Sequence, residues 1–160
     1  MKSICNKNWI IGILIGLFIP SRAITQIKII TKEFLFDSAK FSSCHASTIV
    51  ELKNGDILTA WFGGTAEGND DVAIWSSVKS KTNSWSAPRV LIKEAGASMY
   101  NPVLFYTHDH LLWLYYKFGK SPMTWSAGKM FSKDHGKTWS DPIHLPAGLY
   151  GPIRAKPYIL

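Results

Sequence analysis

Residues 65–71 form a short acidic segment whose side chains are suited to proton transfer. The segment contains Glu67, Asp70 and Asp71 among small, turn-forming residues. Because Asp70 and Asp71 are adjacent, repulsion between their carboxylates favours the protonated form of one of them. This predicts a raised pKa, as a general acid requires. The alternative is an ordinary solvated turn, since glycine, asparagine and aspartate dominate turns.

A second group of polar residues recurs along the chain at a nearly constant spacing. Trp85-Ser86-Ala87-Pro88 is followed by Trp139-Ser140-Asp141-Pro142 at an offset of 54 residues. The same spacing aligns residues 45–50 with 99–104 and, one residue further on, with 154–159. A period of about 50 residues indicates stacked supersecondary units. The polar side chains at or near the starts of the aligned segments are His45, Asn101, Arg154 and Lys156.

Each repeat contains short runs rich in β-branched and aromatic residues, which predict strands. In the first repeat these runs are residues 47–51, 56–62, 72–78 and 89–93. Asn54-Gly55-Asp56 predicts a hairpin turn. Four strands in about fifty residues are typical of a β-propeller blade. The predicted class is therefore all-β, with blades at approximately 45–98 and 99–153 and the start of a third at 154–160.

The innermost strands of a propeller converge on its central mouth. The polar residues at the strand starts are therefore predicted to line a pocket. For His45 the alternative is a structural, partly buried histidine. His108 and His110 alternate at a predicted hairpin tip but have no third ligand in the sequence around them. We predict no metal site and no cofactor.

Residues 132–139 have the features of a tight turn between two strands. Asp134 can accept backbone N–H bonds, Gly136 can supply a positive φ, and the Trp139 ring can cover the turn. The fixed residues of the pattern are Ser132, Asp134, Gly136, Thr138 and Trp139. Residues 77–85 are predicted to be a degenerate first copy, one residue longer, with its serine at Ser77. A single carboxylate inside the loop disfavours calcium.

Residues 1–23 are predicted to be a secretory signal peptide, since Lys2 and Lys7 precede an apolar run that extends from Trp9 to Ile19. That run is shorter than the roughly twenty residues of a spanning helix, although an uncleaved anchor is the alternative. Loss of the signal lowers the formal charge from +7 to +4. The remaining lysines are scattered through turns, so no nucleic-acid partner is predicted. The expected location is secreted or periplasmic, with no membrane span after cleavage.

Residues 24–160 hold two predicted blades and the first strand of a third. A propeller closes with about four to eight blades. We therefore expect the remaining blades to come from the rest of a longer chain.

The turn at 132–139 resembles the Asp-box, or BNR repeat, of the sialidase superfamily. Residues 43–52, 60–65 and 151–157 are similar to the corresponding parts of bacterial neuraminidases of the BNR type. This resemblance implies a six-bladed propeller. It also implies a glycoside hydrolase of the exo-α-sialidase kind that acts on terminal, anionic sugars of glycans.

The resemblance further implies which residues take part. In the family, three arginines bind the substrate carboxylate, an aspartate is the acid/base, and a glutamate-activated tyrosine is the nucleophile. The family's acid/base lies in the loop after the second strand, which here is residues 65–71. At the start of the innermost strand, the family's Arg-Ile-Pro motif is replaced by His45-Ala46-Ser47. The nucleophile and the remaining arginines would lie in later blades.

We therefore predict the N-terminal part of a secreted, sialidase-like glycoside hydrolase with a glycan as substrate. The predicted catalytic residues are Asp70, Asp71, Glu67 and His45, and the predicted substrate-binding residues are Asn101, Arg154 and Lys156. One alternative is a non-catalytic glycan-binding propeller or an inactive remnant. Another is a polysaccharide lyase in which His45 abstracts a proton beside a tyrosine.

Overall fold

The computed structural model describes residues 28–29, 31–82 and 84–158. The chain divides into two compact units, Met1–Lys32 and Glu33–Leu160. In the first unit, residues 28–29 and 31–32 have no regular secondary structure. The predicted signal peptide, residues 1–23, lies outside the described residues. Over the ranges that the structure describes, no helix has both the length and the hydropathy needed to cross a bilayer.

The second unit consists of two four-stranded antiparallel sheets, each with its strands in sequence order. The first sheet contains β1 (Ser43–Glu51), β2 (Ile57–Gly64), β3 (Ala73–Lys79) and β4 (Arg89–Ile92). The second contains β5 (Ser98–Tyr106), β6 (Leu112–Gly119), β7 (Ser126–Ser132) and β8 (Ile143–His144). A 3-10 turn, Pro122–Thr124, is the helical element of the described residues. Two successive four-stranded meanders confirm the prediction of an all-β propeller architecture.

The two sheets pack face to face and share one hydrophobic core. From the first sheet, Leu58, Ala60, Phe62 and Ile74 are almost completely buried. They pack with buried residues of the second sheet, namely Met99, Leu104, Leu112, Leu114, Tyr116 and Met130. Leu104 N also donates a hydrogen bond to Thr48 Oγ1 at 3.2 Å, which joins the innermost strands β1 and β5. Neither sheet could bury these side chains alone, so the blades stabilise each other.

The strand pairing corrects the predicted alignment of the two repeats. Tyr100 takes the place of His45 in the pairing pattern, so β1 and β2 match β5 and β6 at an offset of 55 residues. β3 matches β7 at an offset of 53. The uniform offset of 54 is therefore wrong within the sheets. The reason is that loop 65–72 is two residues longer than its counterpart, loop 120–125.

The turn at 132–139 has the predicted hydrogen bonds. Asp134 accepts from Thr138 N at 2.9 Å, from Thr138 Oγ1 at 2.6 Å and from Ser132 Oγ at 2.8 Å. Gly136 has φ +79°, and Trp139 Nε1 donates to its carbonyl oxygen at 3.2 Å. Asp134, Gly136 and Trp139 thus have the hydrogen bonds and backbone conformation that the pattern favours, and we call this segment the Asp-box turn.

The first repeat has a shorter turn, contrary to prediction. Lys79, which pairs with the first residue of β2, holds the place of Ser132, which pairs with the first residue of β6. Counted from these residues to Trp85 and Trp139, the first turn is one residue shorter. Both turns keep the serine after the tryptophan. Ser86 Oγ accepts from the Val78 N–H and Ser140 Oγ from the Phe131 N–H, each at 3.1 Å.

Residues 145–158, after β8, contain no strand. Within this stretch, residues 154–158 are the described part of the segment where a third blade is predicted to begin. That third blade stays a prediction.

Candidate functional site

A pocket of about 400 Å³ opens where β1, β5 and three loops meet. His45, Ala46 and Ser47 line it from β1, and Asn101 and Pro102 line it from β5. Loop residues that line it are Glu67, Pro122, Trp125, Ile153 and Arg154. Four of the predicted site residues therefore meet in one place: His45, Glu67, Asn101 and Arg154.

Two β-bulges position the strand residues of the pocket. The pairing of β1 with β2 shifts between His45 and Thr48, and the pairing of β5 with β6 shifts between Tyr100 and Val103. The residues inside these bulges have positive φ at equivalent places, +49° at Ala46 and +42° at Asn101. A bulge turns side chains away from the regular alternation and is common beside functional sites. Strained backbone of this kind, at Ala46 above all, also concentrates at such sites.

His45 and Glu67 are neighbours in the pocket. His45 Nδ1 lies 4.0 Å from Glu67 Oε2, and the two side chains are 72% and 54% exposed. The His45 ring packs edge-on against Phe62, with centroids 5.7 Å apart. Both polar groups therefore point into solvent-filled space, where a ligand could replace water. His45 is not the partly buried structural histidine of the alternative interpretation.

The tyrosine that a lyase would require does not contact His45 in the described chain. Tyr100 is buried and packs against Phe62, with the two ring centroids 5.6 Å apart. The described residues therefore supply no His45–tyrosine pair, and the lyase stays an untested alternative.

The acidic loop differs from its prediction at Asp71. Its carboxylate accepts hydrogen bonds from Thr65 N at 2.8 Å and from Thr65 Oγ1 at 2.9 Å. The bond from the Thr65 backbone is the main cause that lowers the pKa of Asp71. Asp71 is therefore not the member of the pair with a raised pKa; its carboxylate closes the loop. Neither Asp70 nor Asp71 lines the pocket, whereas Glu67 does.

Lys156 also lies outside the pocket lining. Its Nζ donates a hydrogen bond to the Ile49 carbonyl oxygen on β1. Partial burial lowers the pKa of this amine. The structure thus assigns Lys156 a backbone contact, while its neighbour Arg154 lines the pocket.

Sequence reasoning missed the aromatic side of the pocket. Trp125 and Pro122 both lie in loop 120–125, which follows the second strand of its sheet as the acidic loop does in the first. The repeat itself therefore contained the signal, because equivalent loops of neighbouring blades reach the same mouth. The Trp125 ring is held by Tyr100, with the ring centroids 5.1 Å apart. An aromatic ring beside polar groups is a common feature of small-molecule sites.

The structure has two blades of antiparallel strands, an Asp-box turn, and a polar pocket at the inner strand ends. Together these features define a β-propeller of the BNR type. The family model described as a BNR repeat-like domain matches residues 55–160. The chain belongs to this family. No curated protein sequence matches it.

Two solved structures are similar in fold. The Hadza microbial sialidase Hz136 has a TM-score of 0.53 and 14% identity over 63% of this chain and 25% of that one. A protein of unknown function from Dyadobacter fermentans DSM 18053 has a TM-score of 0.53 and 16% identity, covering 64% and 36%. The chain thus spans between a quarter and about a third of these structures. At this identity the likeness establishes the sialidase-like fold alone.

Proposed function

We propose that this chain is part of an exported, sialidase-like glycoside hydrolase, and that the pocket binds a terminal, anionic sugar. The observation that carries the proposal is the convergence of His45, Glu67, Asn101 and Arg154 on one open pocket. Membership in the BNR repeat-like family supports the same class of protein.

The side chains divide the task by their chemistry. Arg154 supplies a planar, permanently charged group that can bind a carboxylate through two parallel hydrogen bonds. Asn101 can donate and accept bonds to sugar hydroxyls. The Trp125 ring offers an apolar wall for a sugar face.

Glu67 is the acid/base that the geometry favours over Asp70 and Asp71. It lines the pocket, and its carboxyl lies 4.0 Å from His45 Nδ1. A carboxyl in this position can protonate a leaving glycosidic oxygen, as general acids of glycoside hydrolases do. After the bond breaks, the Glu67 carboxylate can take a proton from the attacking water, and His45 beside it can help to hold it in place.

Ligand titration tests the binding part of the proposal. The purified chain is titrated by calorimetry with sialyllactose and with a glucuronate-terminated disaccharide. Arg154→Gln should weaken binding of the acidic sugar about 10- to 100-fold, because a charged hydrogen bond contributes roughly 1.5–3 kcal/mol. Lys137→Gln, which removes the same charge from the exposed Asp-box turn, should bind normally. If the Arg154→Gln variant bound the acidic sugar as tightly as the unmodified chain, Arg154 would not be a ligand-binding residue.

Turnover of fluorogenic sialosides and uronosides tests the catalytic part, with the completed propeller as the enzyme. Glu67→Gln should lower kcat at least 100-fold, the scale of general acid catalysis. Asp70→Asn should leave kcat nearly unchanged if Glu67 is the acid. If instead Asp70→Asn lowered kcat and Glu67→Gln did not, Asp70 would be the general acid.

A non-catalytic glycan-binding propeller is the second candidate. It is favoured by the pocket lining, which among the described residues contains no tyrosine that could serve as a nucleophile. This candidate predicts tight binding of acidic sugars and no turnover by the completed propeller. An inactive remnant would show neither.

A further inference from the structure

A lysine in the middle of the second sheet is buried without a counter-charge. Lys117, on β6 between Tyr100 of β5 and Ala127 of β7, has 0% of its surface exposed. Its Nζ donates a hydrogen bond to the Pro152 carbonyl oxygen at 2.8 Å. Within the described part of the chain, no carboxylate pairs with it. Burying an ammonium group in this way costs free energy, so its one hydrogen bond is informative.

Pro152 belongs to the segment 151–156, which we call the strap. The strap has no strand pairing, so no sheet hydrogen bonds hold it in place. Lys117 binds it near its first residue, and at its other end Lys156 Nζ donates to the Ile49 carbonyl oxygen of β1. The strap is therefore tied to both blades by lysine side chains on backbone carbonyls.

Between these two ties the strap contributes Ile153 and Arg154 to the pocket lining. Arg154 lies two residues after the carbonyl that Lys117 holds. Because the strap has no regular structure, the position of its backbone depends on the two lysine contacts and on local packing. One such packing contact is Gly151, where an added Cβ would lie 2.7 Å from the Tyr115 ring.

We propose that Lys117 and Lys156 are positioning residues that hold the strap so that Arg154 faces the ligand pocket. This inference rests on the proposed function for the identity of the ligand, an acidic sugar. Desolvation lowers the pKa of Lys117 to about 8, in keeping with an amine enclosed between sheet and strap. The lysines act through Arg154 and need not touch the ligand.

Two readouts on the full chain test the proposal. The first is hydrogen exchange of the amides in residues 150–158 without ligand. The second is the dissociation constant for sialyllactose and for a glucuronate-terminated disaccharide. Lys117→Met should speed exchange in the strap several-fold and weaken binding about tenfold or more. Its unfolding free energy should be unchanged or higher, since an apolar chain replaces a buried charge. A merely structural lysine would instead lower stability without affecting affinity selectively.

Lys156→Met provides a second, independent variant, because this lysine is at the surface and its loss does not empty the core. It should also speed strap exchange and weaken binding. Lys137→Met is the matched control. Lys137 is an exposed lysine of the Asp-box turn, and its loss should change neither readout.

The outcomes separate the two proposals. If the unmodified chain binds neither acidic sugar, the proposed function is wrong, and exchange alone decides whether the lysines hold the strap. Unchanged exchange and affinity in both Lys117→Met and Lys156→Met would overturn the positioning role. If Lys117→Met does not fold, the same comparison is made with Lys156→Met against Lys137→Met.

Discussion

Asp134 shows how one side chain can organise a turn. It accepts three hydrogen bonds, two from Thr138 and one from Ser132, and the bond from the Thr138 side chain is the largest cause that lowers its pKa. A carboxyl whose pKa is lower in the folded state adds stability above its unfolded pKa and loses it as pH falls through the folded value. Asp134→Asn should therefore lower the Tm at pH 7 and make stability less sensitive to acid below about pH 4.

Thermal unfolding monitored by circular dichroism between pH 2 and pH 7 measures this effect. Asp141→Asn, an exposed substitution just after the same turn, is the control and should retain the acid dependence of the unmodified chain. Parallel acid profiles for the Asp134→Asn variant and the unmodified chain would contradict the role of Asp134.

Lys117 predicts a second rise of stability with pH, in the alkaline range. Its pKa is lowered to about 8 by burial, whereas an unfolded lysine titrates near about 10.4. Between these values the unfolded chain binds the additional proton, so this group makes stability rise as pH increases. The full gain is on the order of 3 kcal/mol. Urea unfolding at pH 7.5 and pH 10 should show this rise in the unmodified chain and lose it in Lys117→Met. An equal rise in the variant would mean that other groups cause it.

Short-range chemistry explains which of these residues the sequence predicts. The hydrogen bonds within the Asp-box turn join residues at most four apart in sequence. The short sequence pattern therefore predicts the geometry of the turn. Asp71 depends instead on Thr65, six residues back, and on the exact loop path between them. Lys117 depends on a segment 35 residues away. Neither the adjacent carboxylates of Asp70 and Asp71 nor a lysine in an aromatic strand indicates in the sequence which distant residue it will contact.

At the scale of the elements, the strands and hairpins were predictable but their correspondence was not. Aliphatic and aromatic residues mark β2 and β6. The offset between repeats, however, changes from 55 to 53, because loop 65–72 of the first blade is longer than loop 120–125 of the second. A single offset is then an average over loops of different length. That average aligned Thr48 with Pro102, whereas strand pairing matches Thr48 with Val103. Because of this one-residue error, the sequence alignment did not show that the two bulges that shape the pocket occupy equivalent positions in the two repeats.

The Asp-box turn also joins the two blades. Arg89 of β4 donates to the Gly136 carbonyl oxygen at 2.8 Å, and a Cβ added to Gly136 would lie 3.0 Å from Leu58 Cδ2. Gly136→Ala should therefore cost more than the roughly 1–2 kcal/mol that a non-glycine residue pays for left-handed backbone. Gly148→Ala is a matched control, since Gly148 has φ +82° with no atom near an added Cβ.

Urea unfolding of the two glycine variants measures the difference. A larger loss for Gly136→Ala isolates the contact with Leu58 from the backbone strain that both variants share. Equal losses of unfolding free energy in the two variants would show that the contact between position 136 and Leu58 has no energetic cost.

At the scale of the whole molecule, the shared core predicts that the two blades unfold together. Leu58 of the first sheet is fully buried in a cluster that contains Leu104, Leu114 and Tyr116 of the second. Leu58→Ala should cost about 2–5 kcal/mol, the range for emptying a well-packed core position. Because the cavity lies at the interface, amide protection should fall in both sheets by the same free energy.

Hydrogen exchange resolved by peptide measures protection in β2 and in β6 separately. Ile49→Ala provides the control, since Ile49 is 52% exposed on β1 and its loss should leave both sheets protected. If Leu58→Ala loosened only the first sheet, the blades would be independent folding units. Equal loss in both would mean that the blades form one cooperative unit, as expected when each repeat buries its neighbour's apolar face. In that case a pocket built from β1, β5 and their loops keeps its shape only while both blades are folded.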